Sequence, residues 1–195
     1  MTEPMTARML SYSSPDGSTV ESVRVALNEL AMRATGYIVS TREPAFGASY
    51  SVVVDSGGRT RRITVRSDDL HGERSLTLTR SPGGPWIAES VAGSATQPAL
   101  RDAVDVYVAE SAFSASLPVR RLGLQRTVGA EAEVTVASIS LPDLNVTPVV
   151  RRGRTEAITD DGVVIAYSGP HGERHMLVDG DGLFVRSEGL TERVR

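Results

Sequence analysis

Apolar and polar residues alternate with a period of two over much of the chain, the pattern of strands that bury one face and leave the other in water. Tyr50, Val52 and Val54 alternate until Ser56, Gly57 and Gly58 interrupt them, and Ile63 with Val65 resumes the pattern. This predicts a hairpin whose glycines supply the positive φ of a tight reversal. A second hairpin runs from Leu76 and Leu78 through Ser81, Pro82, Gly83 and Gly84 into Trp86 and Ile87. Further strands are expected at Val106 with Val108, Val134 with Val136, Val149 with Val150, Val163 through Tyr167, and Met176 with Val178. A last hairpin turns at Gly180, Asp181 and Gly182 into Leu183 and Val185. Between Val20 and Ala31 the apolar positions fit a helical stripe as well as strands; two strands meeting near Asn28 are the preferred reading. Gln97 to Ala103 suits a short helical turn, with Pro98 at its first position. Long amphipathic helices are not predicted, so the expected class is mainly β with an antiparallel sheet.

At 195 residues, 40% hydrophobic and 23% charged, the chain is expected to form one domain spanning residues 1–195 around one core. A formal net charge of -3 argues against nucleic acid as a partner, since coating a phosphate backbone requires a basic field. There are no cysteines, which excludes disulfides, thiol nucleophiles and cysteine-ligated metal. All 21 basic residues are arginine, so a phosphate-binding loop built on lysine and Schiff-base chemistry are excluded too. The opening residues lack the apolar core of a secretory signal and no stretch reaches the ~18 apolar residues that span a bilayer; a cytoplasmic protein, not embedded in a membrane, is expected. The sequon at Asn145 to Thr147 is then without consequence.

Two short patterns invite functional readings. HGER occurs at 71–74 and at 171–174, each time before an apolar strand, and two related halves would explain it, although a four-residue match arises readily in this composition. His171, Glu173 and His175 would share a face if extended, but they lack a third or fourth ligand and follow Pro170 and precede or flank Gly172, so a surface loop is the simpler reading and no metal or cofactor is expected.

The segment SAFSASLPVRRLGL, from Ser111 to Leu124, resembles the central signature T-P-F-T-N-T-L-P-I-R-R-L of the putative glycolipid-binding family. Phe113, Leu117, Pro118, Arg120, Arg121 and Leu122 match it directly, while Ala115 replaces the Asn. Upstream, Asp105 to Val108 is similar to the family's D-V-D-L strand. ASISLPDLNVTP, from Ala137 to Pro148, resembles its Y-V-x-L-P-D-L-x-V-x-P run, and DGLFVRSEGL its closing D-G-L-V-x-x-Y-P-G-L. Tyr12, Asp16, Gly17 and Glu21 are placed like its W-x-x-x-D-G…E opening. The chain departs from the pattern after the downstream Pro, where Gln and Tyr are usual and Arg151 and Gly153 stand here. The resemblance implies a spiral β-roll, an antiparallel sheet rolled as a half-barrel round a cavity, related in shape to lipoprotein carriers, with at most one or two short helices. It also implies a glycolipid-type ligand.

On that footing the expected function is non-catalytic capture of an amphiphile in the concave face of the roll, with tail burial contributing about 0.8 kcal/mol per methylene and polar groups at the mouth choosing the head. Candidate ligand contacts are Arg120, Arg121, Asp105, Tyr107, Phe113, Leu117, Pro118 and Trp86. On a strand, Arg120 and Arg121 would point to opposite faces and one would grip an anionic head; the alternative is that both pair with carboxylates such as Asp105 and pin a loop. Trp86, Tyr107 and Phe113 either stack on a ligand or simply pack the core. A hydrolase acting on a glycolipid or ester is the enzymatic alternative. The sequence has neither G-x-S-x-G nor H-E-x-x-H, but paired carboxylates can hide in any sequence. A ligand-free interaction module is the third reading, and the presence of a cavity discriminates it.

Overall fold

The computed structural model describes residues 4–169 and 172–194, and its strands form one 15-stranded sheet. The first seven strands are β1 (Thr6–Ser13), β2 (Thr19–Leu27), β3 (Met32–Ser40), β4 (Phe46–Val54), β5 (Thr60–Asp69), β6 (Gly72–Arg80) and β7 (Trp86–Ser90). They form an antiparallel meander that ends on the short strand β8 (Gly93–Thr96). A 3₁₀ turn at Pro98–Leu100 then leads to β9 (Ala103–Val108) at the opposite edge of the sheet. A second 3₁₀ turn, Phe113–Ala115, runs into the seven-residue helix α1 (Ser116–Leu122).

The return path is β10 (Glu131–Ile139), β11 (Val146–Thr159), β12 (Gly162–Gly169), β13 (Gly172–Val178), β14 (Phe184–Ser187) and β15 (Thr191–Val194). β15 pairs with β1 through three residue pairs, from Ser11 opposite Val194 to Ser13 opposite Glu192. All pairings are antiparallel except β9 with β10, as a strand–helix–strand crossover requires. HGER opens, or overlaps the start of, β6 and β13, the returning strands of two hairpins; His171 lies outside the described residues.

The sheet curls without closing. β8 and β9 do not pair, yet the two ends are tied by side chains: Trp86 Nε1 donates to the Ala103 carbonyl at 2.9 Å, and the Arg80 guanidinium donates to the carbonyls of Ala103 and Arg101. This is the rolled half-barrel expected from the sequence. Val20 to Ala31 is not helical: β2 occupies it as far as Leu27 and the chain turns at Asn28, whose side chain accepts from the Ala31 N–H at 3.0 Å, but the second strand, β3, begins just beyond the segment at Met32.

One expectation is corrected. Arg120 and Arg121 lie on a helix, not on a strand, so the opposite-face argument does not apply to them. Pro118 falls in the first turn, where an N–H would have no intrahelical partner anyway. Gly123 ends the helix at φ 67°, its N–H donating to the Arg120 carbonyl, a left-handed cap that glycine adopts without steric cost.

The helix lies inside the roll and divides it. Beneath β2 to β7 the interior is solid: Ile38, Ile63, Leu78, Trp86 and Leu100 are fully buried, and the Phe113 ring stacks on Tyr50 at 6.5 Å between centroids. In β2 and β3 the inward positions are consistently buried. In β11, by contrast, the inward positions Val149, Arg151 and Gly153 are only half-buried. The alternation is the same, but this stretch borders open space, with Leu124 approaching it only at Gly153.

Candidate functional site

That uncovered stretch is the floor of a cavity of about 600 Å³ between the helix and the second half of the sheet, a volume within the usual range for small-molecule sites. Pro118, Val119 and Leu122 of α1 form one wall. Opposite them stand Val134 of β10, Val149 of β11, Met176 of β13 and Phe184 of β14. Tyr107 of β9, Arg151 of β11 and Tyr167 of β12 contribute to the polar lining. Arg42, Arg152 and Arg174 also border it, against a single carboxylate, the exposed Glu110. The site therefore has apolar walls and a cationic bias.

The Arg151 guanidinium sits over the Tyr107 ring, 3.8 Å from its centroid. Burial pushes the Tyr107 phenol upward, and the neighbouring Arg151 charge pulls against that shift. Tyr167 faces Gly153 across the β11–β12 ladder. A side chain at Gly153 would meet Leu124 Cδ1 at 2.8 Å, so its lack of Cβ lets the strand approach the segment that follows the helix.

The residues singled out in the sequence separate into groups. Tyr107 and Pro118 line the cavity. Phe113, Leu117 and Trp86 are buried in the core, and the Trp86 indole serves the tie between the sheet's ends. Asp105 and Arg121 form a buried ion pair in which Nε and Nη2 both donate to Oδ2, at 2.9 and 2.8 Å. Burial pushes the Asp105 carboxyl up while the guanidinium holds it down. Arg120 borders a separate polar recess of about 320 Å³. Its guanidinium donates to the carbonyls of Asn28 and Glu29 in the β2–β3 turn and of Asp181 in the β13–β14 turn. The two arginines thus fasten α1 to three other parts of the chain, and neither lines the larger cavity.

Neither Arg151, noted only as a departure from a pattern, nor Glu21, noted only as part of the opening pattern, was given a role from the sequence. The Glu21 carboxylate is 2% exposed and has no cationic partner among the described residues. Tyr50 and Ser111 hydroxyls donate to Oε1 at 2.6 Å each, and the Phe113 N–H donates to Oε2 at 3.2 Å. Desolvation drives its pKa up. Gly36 makes this possible: a Cβ there would lie 2.3 Å from the Tyr50 ring, so glycine lets the phenol lie across β3 to reach β2. Glu21 thereby anchors the segment leading into α1. The buried position of Glu21 in the β2 alternation was the available signal, since a carboxylate at an inward place in a strand demands partners.

Among the described residues, no group of three or more His, Asp or Glu side chains is arranged to hold a metal ion. Glu173 is exposed, and His175 meets Glu156 at 3.0 Å on the outside of the sheet. No helix among the described residues is long and apolar enough to cross a membrane.

Among solved structures, a DUF1089 family protein from Pseudomonas aeruginosa superposes with a TM-score of 0.74 at 24% identity, over 93% of this chain and 95% of its own; the likeness shows the fold. A β-barrel-like protein of the DUF1849 family from Brucella abortus aligns over 99% of this chain and 95% of its own, at 7% identity and a TM-score of 0.49. No functionally curated protein matches. The family model described as putative glycolipid-binding matches residues 9–193, nearly the whole roll and both faces of its cavity, and the chain belongs to that family.

Proposed function

We propose that the chain binds an amphiphile in the cavity between α1 and β9–β14 and does not turn it over. The single observation that carries the reading is that half of the roll is left open: the inward positions of β11 stay half-buried where those of β2 and β3 are covered. An apolar wall of Val119, Leu122, Val149 and Met176 beside a polar corner at Tyr107 and Arg151 suits a ligand with a greasy part and a polar part. Each methylene buried there contributes about 0.8 kcal/mol. The family's description as glycolipid-binding points to the same class of molecule. Binding without turnover is favoured over hydrolysis because Glu110 is the one carboxylate among the described lining residues, whereas a glycosidase uses two.

Native mass spectrometry of freshly purified protein, followed by titration with a panel of single-chain lipids, tests this. The protein is expected to carry or take up one amphiphile, and Val149→Trp, which fills the cavity from its floor, is expected to abolish uptake while leaving the thermal midpoint within a few degrees. Wild-type protein that takes up no member of the panel would overturn the reading.

A further inference from the structure

We infer that the polar end of the ligand is an oxyanion and that Arg151 is the residue that reads it; this rests on the amphiphile reading above and sharpens it. The observation is an imbalance in how the protein treats its arginines. On β11 the chain runs Arg151, Arg152, Gly153, Arg154. The outward pair is matched by carboxylates: Arg152 Nη2 lies 2.9 Å from Glu133 Oε2, and Arg154 Nη2 lies 2.9 Å from Glu156 Oε1. Arg121 has Asp105, and Arg120 has three backbone carbonyls. Arg151, pointing inward, has neither. Among the described residues its guanidinium makes no ion pair or hydrogen bond, and its Nε is buried without a partner.

A guanidinium Nε–H withdrawn from water without an acceptor is costly. The face of Tyr107 offsets part of that cost through a cation–π contact, but a ring satisfies none of the N–H donors. An oxyanion would satisfy them in the forked geometry that guanidinium favours. The hydroxyls of Tyr107 and Tyr167 make no hydrogen bond to another described residue, although both side chains line the same cavity. The surroundings do not supply the missing charge: Arg42 and Arg152 at the border are paired with Asp16 and Glu133, Arg174 has no ion pair among the described residues, and Glu110 is exposed at the rim. Arg151 also occupies a place where the chain departs from the pattern it otherwise follows, so the preference would distinguish this protein from relatives built with an uncharged residue there.

The test uses two probes that share one C14 acyl chain, a lysophosphatidate and a neutral monoacylglycerol, with inorganic phosphate as a third arm, each titrated by calorimetry into the full chain. Wild type is expected to bind the lysophosphatidate at least about tenfold more tightly than the monoacylglycerol, the size of effect that a charge-assisted pair supports. Arg151→Gln is expected to bring the two probes within about twofold, chiefly by weakening the lysophosphatidate, and Arg151→Lys to restore part of the preference. Equal wild-type affinity for both lipids, or a preference that survives Arg151→Gln, overturns the inference and leaves amphiphile binding standing. Should Arg151→Gln fail to fold, the salt dependence of the wild-type preference decides: a preference that does not shrink between 50 mM and 500 mM NaCl overturns it. Phosphate alone binding as tightly as the lysophosphatidate overturns the role of the acyl chain, and supports Arg151 as the anion reader where Arg151→Gln abolishes that binding and overturns it where it does not. Binding of no probe by wild type overturns both.

Discussion

Glu21 shows how a single buried charge sets a measurable property of the whole protein. Its carboxyl accepts three hydrogen bonds and meets no cation, and burial dominates, raising its pKa above the ordinary 4.5. A carboxyl whose folded pKa lies above its unfolded value binds its proton more tightly in the folded state. Its contribution to stability is therefore complete below about pH 4.5 and is lost as pH rises through the folded pKa. The hydrogen-bonded carboxyls Asp16, Asp55 and Asp69, all shifted downward, work the other way, their contribution being lost as pH falls below the ordinary Asp range. A difference measurement separates the two. Glu21→Gln is expected to change the urea midpoint by a constant offset, from the lost Phe113 N–H acceptor, plus a component that increasingly favours the variant as pH rises from 4.5 to 8. Parallel midpoint curves for variant and wild type would show that Glu21 does not titrate in that window.

Among elements, the helix is the instructive case. Alternation made β4 through β7 and β9 through β14 legible, because apolar residues mark the inward face of each even where a charge interrupts it, as Asp105 does in β9 and Arg151 in β11. Strand β1 was not foreseen, since Arg8 and Met9 disturb its pattern, and the four-residue β8 and β15 are too short to show a period. Helix α1 was unreadable for a different reason: seven residues make barely two turns, and its stability comes from tertiary contacts, not from its own sequence. The arginines that looked like ligand grips are the fastenings that hold it. Asp105→Ala, which leaves the Arg121 guanidinium largely buried and uncompensated, is expected to cost about 3–5 kcal/mol in denaturant unfolding. The double variant Asp105→Ala/Arg121→Met is expected to cost less than the single one, and a double variant as unstable as the sum of both changes would argue against the pair. The candidate site was legible only in part. Tyr107 and Pro118 could be named from a motif, whereas Arg151 could be recognised only once β9, β11 and β12 were seen to converge on one cavity.

At the scale of the molecule, the sheet is two meanders joined at a seam. One grows outward from β1 and the other returns from β10, and they meet where β15 lies beside β1, with the two partners about 180 residues apart in sequence. Contacts that close so long a loop are costly in entropy until the rest of the structure is in place. Pulsed hydrogen exchange during refolding is therefore expected to protect the amides paired between β3, β4 and β5 before those paired between β1 and β15. Simultaneous protection of the two sets would argue that the roll folds in one step.

The same seam bears on how the chain is made. A ribosome that has released everything up to Ser187 has exposed β1 with one bare edge, and nothing in the nascent product can cover it until the closing strand emerges. Edges of that kind recruit foreign strands. Translation products that stall before β15 would accordingly be stickier than their length alone suggests, and a chaperone that shields β1 would matter most until β15 has emerged.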